Sequence, residues 1–345
     1  MPRKQEFHVG IALLKAVLSF YIVLIHYWRA QPDISGSSPL PKTLGGVGVA
    51  AFLLISFLLT ERSLSAGSLK QLGRRVGRLM IPQVAWAVIP ALAYVVLDSG
   101  LGIRVVRLRS LSTVGWQILT GNTTINNVMW YMVDLIVLTC VAGALYAAIK
   151  SDDARTYALV ILMIVAIHLQ QSGVNYRLCA GLRTELSSPV GKLLELTPYM
   201  CIGLLASRYG WFEKAKKHAL INALIGAALW VLVDAAEWFA LPQGFAHFGM
   251  ARIVKTAALV LAFYVMPLEK AADWVKKVIR FLSGYALGVY CLHRFVGRML
   301  NTVLFPRWGW TTYTFWGCVL NYALCLLLSF AISKIPGKWA RRTVM

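Results

Sequence analysis

Residues 15–26, "KAVLSFYIVLIH", set a lysine and a histidine at the two ends of ten mostly apolar residues. The apolar run around them is long enough to cross a bilayer as a helix, which takes about 20 residues. In hydrocarbon, an ammonium and an imidazole are both costly, and an ionisable group inside such a span marks a functional site by default. Eleven steps of about 100° come within about 20° of three full turns, so Lys15 and His26 share one helix face about 16 Å apart. Ser19 and Ile22 fall close to the same stripe.

Similar runs recur along the chain. Of its 345 residues 58% are hydrophobic and only 14% charged, with a mean hydropathy of +0.64; a soluble domain carries about 25% charged residues. Ten spans are predicted, at 9–30, 44–61, 80–98, 129–149, 155–170, 191–207, 219–240, 248–268, 281–300 and 312–333. The expected fold is all-α: a polytopic integral membrane protein of about ten transmembrane helices. It forms one transmembrane domain over 1–345, with no soluble appended domain. No Ala-x-Ala cleavage pattern follows the first run, which continues "HYWRAQPD", so that helix is expected to be retained.

The net charge of +21 raises nucleic acid as a partner, but its distribution argues against that. With the N-terminus inside, most of the lysines and arginines fall on alternate connections, such as "ERSLSAGSLKQLGRRVGRLM" and "SKIPGKWARRTVM". This is the positive-inside pattern, and it puts both termini in the cytoplasm. The basic balance then reports topology and contact with membrane lipids. Five of the six cysteines lie in apolar runs and Cys179 in a connection, with no disulfide framework and no metal-ligand spacing.

Further polar groups fall in or beside the spans. Arg74, Arg75 and Arg78 precede the third, at spacings that put pairs of guanidinium groups on one helix face, where they clamp phosphates or simply anchor the helix end. His293, in "GYALGVYCLH", lies near the depth of His26, with Tyr290 one turn before it. Either the two histidines meet in a shared cavity, or His293 only holds Tyr290 or a carbonyl. Asp134, in "WYMVDLIVL", is the preferred carboxylate to orient a histidine. Arg252 and Lys255 are expected to neutralise Asp234 or Glu237. Arg104, Arg107 and Arg109 belong to an outer segment, read as an interfacial amphipathic helix or a landing surface for an anionic acceptor.

In order along the chain, several motifs resemble the membrane-bound acyltransferase-3 family: Lys15 and His26 ten residues apart, "GVAAFLLISFLL" from Gly48, "RVGR" at Arg75 and Arg78, "MWYM" with Trp130, and "LSGYALGVYCLH" with Tyr290 and His293. The resemblance implies acyl transfer, usually of acetyl from cytoplasmic acetyl-CoA, to extracytoplasmic glycans in a bacterial cytoplasmic membrane. It makes His26 the catalytic centre, with Asp134 as a weaker second. Lys15, Arg74, Arg75 and Arg78 are placed on the CoA side, and Trp130, Tyr290 and His293 towards the glycan or lipid-linked saccharide acceptor. Acetyl-CoA is then a donor substrate; no permanently bound cofactor and no metal are expected. Two departures stand out: Phe57 replaces the glycine that follows the motif serine, and Lys15 replaces the commoner arginine. The rival reading is a proton-coupled or lipid-linked-sugar transporter, against which no inverted repeat of broken helices appears.

Overall fold

The computed structural model describes residues 8–28, 46–66, 69–106, 110–182, 184–239 and 249–345. Every regular element among them is helical. The helices are α1 Val9–Tyr27, α2 Val47–Leu58, α3 Glu61–Ser65, α4 Leu69–Leu101, α5 Leu111–Thr120, α6 Trp130–Ala148, α7 Asp152–Gln171 and α8 Val174–Ala180. They continue as α9 Thr184–Tyr209, α10 Trp211–Ala215, α11 Ala219–Phe239, α12 Gly249–Val265, α13 Asp273–Gly284, α14 Ala286–Met299, α15 Phe315–Lys334 and α16 Lys338–Val344.

Most of each predicted span lies on helix, but among the described residues five stretches, not ten, are long and apolar enough to cross a membrane: Val9–Tyr27, Lys70–Leu101, Trp130–Ala148, Trp211–Ala236 and Phe315–Lys334. The chain is an integral membrane protein. α11 turns Leu220, Ile221, Leu224, Ile225 and Leu232 outward, an apolar surface that only hydrocarbon covers without loss.

The ninth predicted span is not one continuous helix. α13 ends at Gly284 and Tyr285 leaves helical geometry, with φ −104° and ψ 8°. Glycine is a poor helix former, and the Tyr285 hydroxyl finds Ser333 on α15 at 3.0 Å. α13 is instead amphipathic, with Val275 and Ile279 packed on Val9 and Ala12 while Lys277 and Arg280 are exposed. The arginine-bearing outer segment is likewise shorter than expected as a helix. α5 begins only at Leu111, and Arg104 lies outside it, paired with Asp98. Arg107 and Arg109 fall outside the described residues. Cys179 sits in α8 rather than in a loop.

α1 is the axis of the bundle, packed against α2, α12, α13, α14 and α15. Its contact with α14 is the closest at the His26 end. There the Tyr27 hydroxyl donates to the carbonyl oxygens of His293 (3.1 Å) and Arg294 (3.2 Å). Gly297 makes this approach possible, because a Cβ at that position would sit 2.1 Å from the Tyr27 oxygen.

The charged pairs inside the bundle are matched. Lys255 donates to Asp234, and Arg252 and Lys192 both reach Glu195. The expectation for Lys255 and Asp234 is met, and Arg252 takes Glu195. The Glu237 side chain lies outside what the structure describes.

Gly297→Ala should lower the thermal midpoint of the detergent-solubilised protein by several degrees, whereas Gly73→Ala, with open space around it, should hold or raise it by the helix-propensity difference of about 0.5–1 kcal/mol. A thermal melt of the two variants side by side checks both outcomes.

Candidate active site

Two cavities meet at Arg75. The inner one, of about 260 Å³, is walled by Lys15 and Ile22 of α1, Phe52 and Ser56 of α2, and Arg75 of α4. Tyr131 and Met132 of α6, Leu287 and Tyr290 of α14, and Met345 complete it. Lys15 and Ile22 are seven residues apart on one face, so the cavity runs along α1 and stops one turn short of His26. The outer one, of about 1020 Å³, is lined by Ser63, Gln71, Arg74, Arg75, Arg78 and Arg342, among others. Arg75 and Leu59 line both.

α4 carries the arginines because its helix starts at Leu69, eleven residues before the predicted span. Pro82 and Pro90 lie within it. A proline supplies no N–H to the carbonyl four residues back, so Pro82 relaxes the ladder at Arg78. Arg74 and Arg78 are exposed and Arg75 is half-buried. The Arg75 Nη2 donates to Ser56 Oγ at 2.8 Å, and its guanidinium lies 6.0 Å from the centre of the Phe57 ring. Its buried Nε has no partner. A guanidinium with donors still free between a basic mouth and an inner chamber is suited to holding an anion that spans both.

At the far end of α1, His26 and His293 face each other with ring centres 5.1 Å apart and planes inclined by 32°. His26 is half-buried and His293 fully buried. The His293 Nδ1 lies 2.7 Å from the Tyr290 carbonyl and 3.2 Å from that of Val289, which assigns the proton to Nδ1 and leaves Nε2 as the acceptor. That Nε2 is buried without a partner. The two rings are in contact but line neither cavity, and His293 also holds carbonyls of its own helix.

The stretch of α14 around His293 is fixed from three sides. Tyr27 on α1 and Asn321 Nδ2 on α15 (3.2 Å) both bind the His293 carbonyl. From the connection before α6, Asn126 Nδ2 binds the Cys291 carbonyl at 2.9 Å. The same connection accepts from Tyr290 at the Val128 carbonyl, and from Arg294 at Asn127 Oδ1 (3.1 Å). Arg298 Nη1 reaches the Ile125 carbonyl at 2.9 Å. None of Tyr27, Asn126, Asn321 or Tyr131 was marked by spacing. For Asn126 and Asn321 the available signal was a carboxamide in or beside an apolar run, which must find partners when buried.

Other expected residues stand apart. Trp130 opens α6 half-buried, with its ring 6.4 Å from that of Tyr131, and lines neither cavity. The Tyr131 ring meets Tyr290 at 5.5 Å. Asp134 is buried, at 2% exposure, yet hydrogen-bonds neither histidine, and its Oδ2 has no partner. Its helix packs on α9, which carries Lys192 and Glu195. No group of three or more metal-ligating side chains occurs among the described residues.

The arrangement is an arginine-lined cavity joined through Arg75 to a chamber along α1, which ends one turn short of a histidine pair in an integral membrane bundle. The family model described as acyltransferase domain matches residues 8–330, nearly the whole chain, and the chain belongs to this acyltransferase-3 family. No curated protein and no solved structure matches it.

The Arg75–Ser56 bond supplies a direct check on the junction of the two cavities. A double-mutant cycle with Arg75→Gln and Ser56→Ala, read by chemical denaturation, should give a coupling of about 1 kcal/mol. A coupling near zero would mean that the bond does not hold the junction.

Proposed function

We propose that this acyltransferase takes an acetyl group from cytoplasmic acetyl-CoA and transfers it through the membrane to a hydroxyl of an extracytoplasmic glycan or lipid-linked saccharide. The observation that carries the reading is the order of the groups along the site. Four arginines line the mouth, Arg75 joins the mouth to the chamber of Lys15, and one turn beyond that chamber stand His26 and His293. A substrate with several phosphates at one end and a thioester at the end of a long arm fits that order of groups. The proposed topology follows the charge pattern: about ten crossings, with both termini and the arginine mouth in the cytoplasm of a bacterium.

In this reading Lys15, Arg74, Arg75 and Arg78 hold the donor's phosphates, Lys15 as a point charge and the arginines by paired hydrogen bonds. His26 takes the proton of the acceptor hydroxyl while that oxygen attacks the thioester carbonyl. The C–S bond breaks, the ester C–O bond forms, and the proton passes to the departing thiolate of CoA. An acyl group carried transiently on His26 is the two-step version of the same transfer. His293, whose ring packs against that of His26 at 5.1 Å, keeps the ring of His26 in place. Tyr290, from the chamber wall, and Trp130, from outside both cavities, are assigned to the acceptor.

The test uses membrane vesicles with labelled acetyl-CoA, following CoA release and label on envelope glycan of a native host. His26→Ala should lower label transfer by about 100-fold or more. Lys15→Ala should mainly raise the acetyl-CoA concentration needed, by about tenfold. Wild-type vesicles that move protons with solute while consuming no acetyl-CoA would replace this reading with transport.

A further inference from the structure

The outer cavity has a fourth arginine that belongs to no motif. Arg342 lies on α16, beyond residue 330 where the family match ends. α16 is short and strongly basic, yet it is built into the bundle. Ala340, Thr343 and Val344 are buried at 2%, 1% and 0% exposure. The helix packs on α4, α14 and α15. One hydrogen bond sets its register: Trp86 Nε1 on α4 donates to the Thr343 carbonyl at 2.9 Å. Trp86 is itself buried and lies one turn beyond Pro82 on the helix that carries Arg74, Arg75 and Arg78.

The consequences are geometric. Holding Thr343 holds its neighbour Arg342 at the cavity wall, across from the three arginines of α4, and brings Met345 to the wall of the inner chamber. Its neighbour Arg341 carries the same charge but lines neither cavity, with its Nε 3.4 Å from Met345 Sδ. A basic tail meant only to attract lipid headgroups would need neither the buried face nor the fixed register.

We infer that Arg342 is a binding residue for the phosphates of the acyl donor, and that the bond from Trp86 to Thr343 positions it. The inference rests on the donor reading above. It extends the phosphate site to a helix outside the family match, so that the donor is held between α4 and α16.

The full chain, in discs of phosphatidylcholine alone, is titrated with CoA by calorimetry. Arg342→Gln should weaken CoA binding about tenfold, the loss of one charge-assisted contact. Arg342→Lys should recover part of it, and Arg341→Gln should stay within about twofold of wild type. Trp86→Phe keeps an aromatic ring in the core but removes the N–H together with the rest of the pyrrole ring, and it should weaken CoA binding in the same direction. In turnover, Arg342→Gln should raise KM for acetyl-CoA and leave kcat unchanged.

A folded Arg342→Gln that binds CoA like wild type overturns the inference and leaves the donor reading intact. If that variant does not fold, Trp86→Phe decides, and unchanged affinity overturns the proposal. Tripolyphosphate is the second probe. Arg342-dependent binding of tripolyphosphate without any CoA binding supports the anion site while the donor reading fails. Should phosphatidylglycerol in the discs abolish both titrations through Arg342, the occupant is a lipid headgroup and the inference is overturned.

Discussion

A charge inside a membrane helix must face a partner or water, because hydrocarbon offers it neither. Much of this structure follows from where α1 puts Lys15 and His26. A helix carrying both on one stripe cannot stand at the lipid boundary, so it becomes the axis, wrapped by α2, α12, α13, α14 and α15. The stripe then faces the seam between α2, α4, α6 and α14, and that seam is the inner chamber. Helices without such groups, α11 above all, are free to present leucine and isoleucine outward.

Precision at the histidine end comes from backbone carbonyls rather than from the imidazoles. The His293 carbonyl takes bonds from Tyr27 and Asn321, and the Cys291 carbonyl takes one from Asn126. These donors reach α14 from three directions, so the ring of His293 is fixed by the position of its own helix. A buried carboxamide left without its partner costs about 1–3 kcal/mol. The side chains that hold the site are therefore part of the stability of the bundle. The same logic explains the short connection before α6, whose carbonyls and Asn127 answer Tyr290, Arg294 and Arg298.

Much of the fold was legible because hydropathy over about 20 residues is a strong signal, and among the described residues most of each predicted run lies on helix. The facing of His26 and His293 was legible too, since both helices were expected to run the same way with histidine at one depth. What periodicity cannot carry is the identity of a neighbour. Asp134 was expected beside a histidine, but its helix packs on α9, and nothing within "WYMVDLIVL" distinguishes those two directions. The break at Tyr285 depends on a hydroxyl reaching Ser333, forty-eight residues on. Arg342 looked like one more residue of a positive-inside tail. Its place at the cavity wall depends on Trp86, 257 residues away from Thr343 in sequence.

The bulky residue at position 57 shows how such distant pairs preserve a site. Where the family resemblance leads one to expect glycine after the motif serine, this chain has phenylalanine, fully buried on α2. A phenyl ring in place of a hydrogen needs space, and the space is found on α9. A Cβ built at Gly203 would sit 2.6 Å from the Leu54 carbonyl oxygen and 3.0 Å from Phe57 Cβ, so α9 lies directly against α2 at this point. The small residue has in effect moved to the partner helix, and the close contact is kept. The ring also does something glycine cannot: it stands 6.0 Å from the Arg75 guanidinium, while the neighbouring Ser56 accepts from it at 2.8 Å. Arg75 is thus held by an aromatic face and a hydroxyl from one turn of α2. A substitution that departs from the motif ends by supporting the arginine on which both cavities converge.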